Sequence, residues 1–582
     1  MDHILNKGLS FFKLVCVFLL ASFVCLLPLV IQKNLYTGID MGYHLNRAYD
    51  LAQNLKHGSI FPFITTYSFN HLGTQINMAY GLLSVYPLAI GLILFKNPII
   101  GIYFGISIIQ LISALISYYF SFKYYKKSEK SILFSLIYVF SIFNLHFLIG
   151  GFSLGEISAT AFLPIAIYGT YSILYGQNEW WYLAIGMSLT LYTHLLSVLI
   201  YSALVFTMLV IACIDKHLNI KKIKSFIYAT ISAILMSSFF LVNFITILHD
   251  QKISSTMVVD TTNNEMKLSN IITQSLDNQL FGIVFIIGLI ISLTYWKKLS
   301  KYSKSSLLIG LSFLLFVTPV FDAFWKLIDK TPFRMIQFPY RFLVLVNFCF
   351  AFVIVDALFI WINNKEKHLL KTISIFCILF ISLLSWSTTF VRTNINNTDL
   401  KKPSLTSSLP FSNYKINTNT FKYLTKDYYN GVGDIDYWPI KSIKLSDTEK
   451  NKLKHNLVYN NKKFYYTSPY ASANAIKYVI KVRQSGNLNL PFFYSKNLEI
   501  LVDSKNHNYK NSNRGTVQIN NISKGLHNIQ IYYRPTIAIK LAACLSVFMF
   551  AYLITKSILF IRRYCILQVK SAEKCNDFLH SL

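Results

Sequence analysis

Residues 9–31, LSFFKLVCVFLLASFVCLLPLVI, form an apolar run that follows Lys7 and is interrupted only by Lys13. A helix needs about twenty such residues to cross the hydrocarbon core of a bilayer, and this run supplies them. Its charged start is signal-peptide-like. No small-x-small cleavage site precedes the next polar stretch, however, so the run reads as an uncleaved first span.

The rest of the chain has the same character. Of 582 residues, 54% are hydrophobic and 14% charged, and the mean hydropathy is +0.44. That is a membrane composition. Lys and Arg number 55 against 25 Asp and Glu, a formal net charge of +30. The basic residues fall in short runs between apolar stretches, such as KYYKKSEK at 123–130 and KKLSKYSK at 297–304. They read as cytoplasmic anchors facing membrane lipids, which argues against a nucleic-acid partner. The cysteines show no CxxC and no metal-ligand spacing, so neither a disulfide framework nor a zinc site is expected.

Spans are placed at 9–31, 99–122, 131–149, 157–175, 180–196, 197–214, 226–248, 279–296, 305–320, 340–362, 370–391 and 537–561, about twelve helices in all. With the N-terminus inside, this register puts the basic runs at 123–130, 216–224, 297–304, 363–371 and 562–563 on the cytoplasmic side. Counting 78–95 as a further crossing would move all of them outside, so that stretch is expected to be re-entrant or interfacial. The expected fold class is a polytopic α-helical membrane protein. Residues 1–391 carry the transmembrane domain with a first outer loop at 32–77. An extracytoplasmic linker at 392–450, a β-sandwich-like domain at 451–535, and a final span with cytoplasmic tail at 536–582 follow. The β expectation rests on period-two runs at 476–482, 498–502, 516–519 and 527–533, separated by Gly, Asn and Ser.

The outer loops hold the candidate chemistry. GIDMGYHLNRAYDLAQNLKHGSIFP, residues 38–62, spaces Asp40, His44 and Arg47 at roughly one helical turn, which puts them on one helix face. A carboxylate there suits a general base toward a hydroxyl, while His44 and Arg47 suit a phosphate. The plainer alternative is an amphipathic surface helix capped by Asp40. Glu156 closes the short loop GGFSLGE at 150–156, where a carboxylate at the hydrocarbon edge needs a polar cavity, a partner or the headgroup layer. His194 in LYTHLLS lies near the outer end of its helix, where it could contact the same cavity; a lone histidine on an apolar helix is more often a packing residue. FRMIQFPYRFL, 333–343, contributes Arg334 and Arg341. Guanidinium groups at the membrane surface suit a lipid-linked phosphate, or else snorkel to ordinary lipid phosphates. GDIDYW at 433–438 supplies Asp434 and Asp436, but in the outer linker, away from the spans. No Walker A loop, GxGxxG, HExxH or GxSxG is present.

Several short motifs, in this order, carry a family resemblance: Asp40 with His44 and Arg47; Gly155–Glu156 leading to Leu163–Pro164; Thr193–His194; and Gln337–Phe338–Pro339–Tyr340–Arg341–Phe342. Leu501–Val502–Asp503 and Gly525–Leu526–His527 follow in the β block. The chain resembles the YfhO-like and 6-pyruvoyl-tetrahydropterin-synthase-related bacterial membrane proteins of the GT-C glycosyltransferase superfamily. The resemblance implies transfer of a sugar from a polyprenyl-phosphate donor to an extracytoplasmic glycopolymer or glycolipid. It makes Asp40 the base or the residue that orients the acceptor, sets His44, Arg47, Arg341 and Arg334 near the donor phosphate, and lines the cavity with Glu156 and His194. No metal ligand set is identified, and the lone Asp40 leaves dependence on a divalent metal ion open. Two other classes compete: a transporter or flippase for a lipid-linked saccharide, which would show internal repeats and midplane charges, and a noncatalytic envelope assembly protein.

Overall fold

The computed structural model describes residues 2–36, 38–254, 259–363, 368–401, 414–426, 435–460 and 463–580. Each apolar run becomes helix, but the helices are not equally long. Among the described residues, 7 are long and apolar enough to cross a membrane, or up to 10 if each bent pair counts as one span. The expected count of about twelve exceeds this because two of the runs give only short helices, Trp181–Thr193 with 13 residues and Ile283–Thr294 with 12.

The bends and breaks have local causes. Residues 181–214 divide at His194, whose backbone is extended (φ −154°, ψ 112°), so the break comes before the expected boundary at 196. Lys301–Phe316 and Pro319–Ile328 meet at 73°, where Pro319 cannot continue the helical hydrogen-bond ladder. Ser128–Val139 and Ile142–Gly150 meet at 42°, where the extended Ser141 starts the second helix by accepting from Asn144 N–H.

Large apolar side chains such as Phe23, Phe206, Ile231, Ile381 and Phe548 remain exposed on these helices. A soluble monomer does not expose apolar surface on this scale, whereas lipid covers it at no cost. The stretch read as re-entrant or interfacial contains the 9-residue helix Tyr86–Leu94, which rises about 14 Å. It lies tightly on Pro98–Tyr125: a Cβ on Gly91 would sit 1.9 Å from the Gly101 carbonyl oxygen.

Between the helix ending at Asn394 and the final helix Ile537–His580 the chain turns to strands. Two five-stranded sheets form. One runs Lys505–Asn506, Leu498–Val502, Gly525–Tyr533, Ala475–Val482, Tyr470–Ser472; the other runs Tyr509–Asn511, Thr516–Ile522, Gly486–Phe493, Leu457–Asn460, Lys463–Tyr466. All their neighbouring strands are antiparallel. Alternate residues, among them Tyr478, Phe492, Ile500, Ile519 and Ile529, interleave in a common core, as period-two strands with one buried face require.

This β region rests on the first loop. Asn474 accepts from Phe63 N–H at 2.7 Å, Thr66 Oγ1 donates to the Ser472 carbonyl at 2.7 Å, and Phe493 N–H donates to the Leu72 carbonyl at 2.8 Å. A small sheet adds a second tie, pairing Leu35–Tyr36 with Tyr414–Ile416.

Candidate functional site

The helix Met41–Lys56 follows the first long helix after a short turn, and it is not a surface helix. Every residue from Met41 to Ala48 is buried, with Arg47 at 0% exposure and His44 at 2%. The turn before it packs backbone to backbone on the GGFSLGE loop, since a Cβ on Gly38 would fall 2.3 Å from the Gly151 carbonyl carbon. Asp40 N–H points to the Gly151 carbonyl at 3.5 Å. Asp40 occupies the N-cap position but makes no capping hydrogen bond, which leaves its carboxylate for other work.

Three of the expected residues gather there. Asp40 and Glu156 lie within reach of each other's charge, and both lie within reach of the Arg341 guanidinium. Glu156 Oε2 is 3.4 Å from Arg341 Nε. Arg341 Nη2 donates to Gln337 Oε1 at 3.1 Å, and its guanidinium lies 5.3 Å from the Phe338 ring centroid. Its buried Nη1 finds no acceptor among the described residues. Gln337 holds a strained backbone conformation (φ +65°, ψ −49°) immediately before this sequence of contacts. Burial pushes the Asp40 carboxyl from 3.8 up to about 6, against the pull of Arg341.

His44, Arg47 and His194 belong to the adjoining layer, organised by Tyr80. The Arg47 guanidinium sits 4.8 Å from the Tyr80 ring centroid, and the rings of His44 and His194 lie 5.9 and 5.7 Å from it. Arg47 is mostly committed to the protein: Nε donates to Asn77 Oδ1 at 3.1 Å, and Nη2 donates to the carbonyls of Tyr80 and Gly81 at 3.0 and 2.7 Å. Only its Nη1 lacks an acceptor among the described residues. Burial, then the neighbouring Arg47 and His194, hold the His44 imidazole well below its ordinary value, so it is neutral. Its Nδ1 has no partner among the described residues, whereas His194 Nδ1 is 2.8 Å from Ser197 Oγ. Arg334 turns away; it is exposed and stands 3.8 Å from Asp260.

Sequence reading did not single out Tyr80, although Gln75 and Asn77 mark polar chain just before an apolar stretch. It also set GDIDYW apart from the spans. Asp434 lies outside the described residues, but Tyr437 packs on the core of the helical region and lies within charge range of Arg47 and Arg341. Asp436 is within charge range of Tyr43. The segment was misplaced because its contacts are made across a long separation in sequence, which local composition does not reveal. Among the described residues no three His, Cys, Asp or Glu side chains are grouped to hold a metal ion.

The basic run at 123–130 lies toward the other end of the bundle. Helix Leu343–Asn363 follows Arg341 and carries Asp356, whose partner is Lys130 at 2.5 Å. From 341 to 356 the chain rises roughly 22 Å. Lys123 likewise pairs with Glu179 at 2.6 Å, beyond the far end of the helical stretch Leu154–Tyr175 that begins beside Glu156.

No curated protein gives a match to this sequence. Residues 79–390, just over half of the chain, match the model of the 6-pyruvoyl-tetrahydropterin synthase related domain, a membrane protein, and the chain belongs to that family.

Proposed function

We propose that this protein is a membrane glycosyltransferase of GT-C type that moves a sugar from a polyprenyl-phosphate donor to a glycopolymer or glycolipid outside the cell. The observation that carries the reading is the Asp40 carboxylate. It makes no capping hydrogen bond, burial raises its pKa to about 6, and it lies within charge range of Arg341, whose buried Nη1 has no acceptor among the described residues.

Asp40 takes the proton from the acceptor hydroxyl, whose oxygen attacks the anomeric carbon as the bond from that carbon to the carrier phosphate breaks. The phosphate leaves with the bonding electrons, and Arg341 offers it Nη1 in a low-dielectric site, where such a donor acts most strongly. Neutral His44 can offer or accept one further hydrogen bond through Nδ1. Arg47, with one free nitrogen, mainly sets the position of the Tyr80–Gly81 wall. Glu156 holds Arg341 in place, and His194 closes the far side of Tyr80.

Sidedness supports the same reading. Lys123, Lys130 and Lys301 lie toward the end opposite Asp40, and the rule that assigns basic runs to the cytoplasm then favours Asp40 and the β region outside. The decisive experiment is Asp40→Asn in the native host, comparing surface glycopolymer sugar content with the parent at equal protein abundance. Loss of decoration is expected. Unchanged decoration would overturn the enzyme reading and leave a flippase or assembly role.

A further inference from the structure

A cavity of about 260 Å³ opens at the end of the bundle remote from Asp40. Its walls come from helices Pro98–Tyr125, Ser128–Val139, Leu163–Tyr175, Leu195–Ile214, Lys301–Phe316 and Leu343–Asn363. Helix Leu195–Ile214 spans roughly 30 Å, with His194 at one end and Asp215 at the other, so the mouth and the Asp40 cluster face opposite sides of the bundle.

The cavity is apolar below and charged only at its mouth. Among its lining residues the charged ones are Asp215 and Lys301, joined at 2.8 Å, with His217 beside them. Below them the wall is aromatic. Tyr302 lies 5.7 Å from Tyr175 and 5.8 Å from Tyr171, which lies 5.0 Å from Tyr124. From Pro164 at depth to Tyr175 near the mouth, the helix rises about 16 Å. That is half of the roughly 30 Å hydrocarbon core, the depth of one leaflet's acyl chain.

Charge at the rim selects the head group. Lys301 is paired with Asp215 but remains 72% exposed, so its ammonium has donors left for a second anion. In sequence, Lys216 follows Asp215, and Lys297, Lys298 and Lys304 lie within four residues of Lys301, with no acid in these two stretches besides Asp215. A basic rim over an apolar shaft of one-leaflet depth matches an anionic phospholipid of the adjacent leaflet.

We propose that this cavity is a specific site for one acyl chain of an anionic diacyl phospholipid, whose phosphate meets Lys301 and His217 at the mouth. The site is independent of the reaction at Asp40. A long polyprenyl chain would overrun a shaft of one-leaflet depth.

The test uses the full chain reconstituted in nanodiscs of equal parts phosphatidylglycerol and phosphatidylcholine, then released for native mass spectrometry. One retained phosphatidylglycerol per chain is expected, in preference to phosphatidylcholine. Met208→Trp and Ile309→Trp, which fill the shaft from two different helices, should each lower retention about tenfold. Lys301→Glu should lower it roughly fivefold and reduce the preference for the anionic lipid. Phe206→Trp, exposed on the same helix as Met208, should change nothing. Equal retention of the two lipids, parental retention by both shaft-filling variants, or displacement of phosphatidylglycerol by added polyprenyl phosphate would each overturn the proposal. A shaft variant that fails to fold leaves the other and the Lys301 variant to decide.

Discussion

Glu156 and Arg341, far apart in sequence, form an ion pair of 3.4 Å whose side chains are only 14% and 13% exposed. The pair ties the loop below Asp40 to the start of helix Leu343–Asn363 and fixes the guanidinium that Asp40 faces. Removing one partner of a buried pair leaves the other charge uncompensated, so Glu156→Gln should cost about 3 kcal/mol of stability. Adding Arg341→Gln to it removes the stranded charge and should recover part of that loss. Thermal unfolding of the parent, both single variants and the double variant in one detergent measures the coupling; additive losses would mean that the two side chains do not interact.

The pH dependence of transfer should report Asp40. Its carboxyl titrates at about 6 in the folded protein, raised by burial and restrained by Arg341. As a base it works only ionised, so kcat/KM should rise with pH through about 6 and level above it. Arg341→Gln removes the restraining charge, and the rising limb should move to higher pH. A limb that stays in place would show that another group controls the profile.

The helices were legible because apolar runs of span length have few alternatives, and the strands because alternation over an apolar core is a local pattern. The site was legible only in part. The spacing of Asp40, His44 and Arg47 suggests one helix face, but Asp40 occupies the N-cap position beside Arg341 while His44 and Arg47 lie in the adjoining layer. An Arg on a helix with polar neighbours resembles a solvated face. Its burial depends on Asn77, Tyr80 and Gly81, which lie on a different segment. The Arg341–Glu156 pairing is likewise long-range. Arg334 has the same residue type in nearly the same segment as Arg341, and only the turn at residues 332–336 separates their directions. Hydropathy registers how apolar a run is, while local backbone such as the extended His194 decides where a helix breaks, so the number of spans is less legible than their location.

Close backbone packing beside Tyr80 gives a further prediction. A Cβ on Gly81 would lie 2.5 Å from the Tyr192 carbonyl oxygen and 2.6 Å from the Thr193 carbonyl carbon, neither of which can swing aside like a side chain. Gly81→Ala should therefore cost about 2–3 kcal/mol and displace the carbonyls that Arg47 holds. Gly58 is the control: nothing lies within 4 Å of its Cβ position and its φ is +79°, so Gly58→Ala should show only backbone strain, about 1 kcal/mol. Thermal unfolding that ranks Gly58→Ala at or above Gly81→Ala would refute the packing argument.

Asp50 lies on the same first-loop helix as His44 and Arg47, and nothing in its sequence context distinguishes it from a solvated polar residue. It is fully buried, and its Oδ1 accepts from the backbone N–H groups of Thr66, Tyr67 and Ser68 at 3.1, 2.8 and 3.2 Å. Its Oδ2 accepts from Asn54 Nδ2 at 3.1 Å. The carboxylate anchors a turn that continues through Phe69, Asn70 and His71, all at positive φ, and that carries the Thr66 contact to the β region. Asp50→Ala leaves three buried donors without an acceptor and should cost roughly 3–5 kcal/mol, loosening the β region from the first loop. Asp50→Asn keeps one acceptor oxygen but sets an NH2 group against Asn54, so its loss should be smaller. Burial raises the Asp50 carboxyl from 3.8 to about 7, against the pull of its hydrogen bonds. The folded state thus binds this proton more tightly than the unfolded state does, and the stability it contributes is present at low pH and declines as pH rises through about 7. Asparagine carries no such proton. The gap between parent and Asp50→Asn in thermal unfolding should therefore be widest below about pH 4, narrow as pH rises to about 7, and change little above that. A gap that widens with pH would show that Asp50 is ionised throughout and held by its backbone donors more strongly than burial opposes.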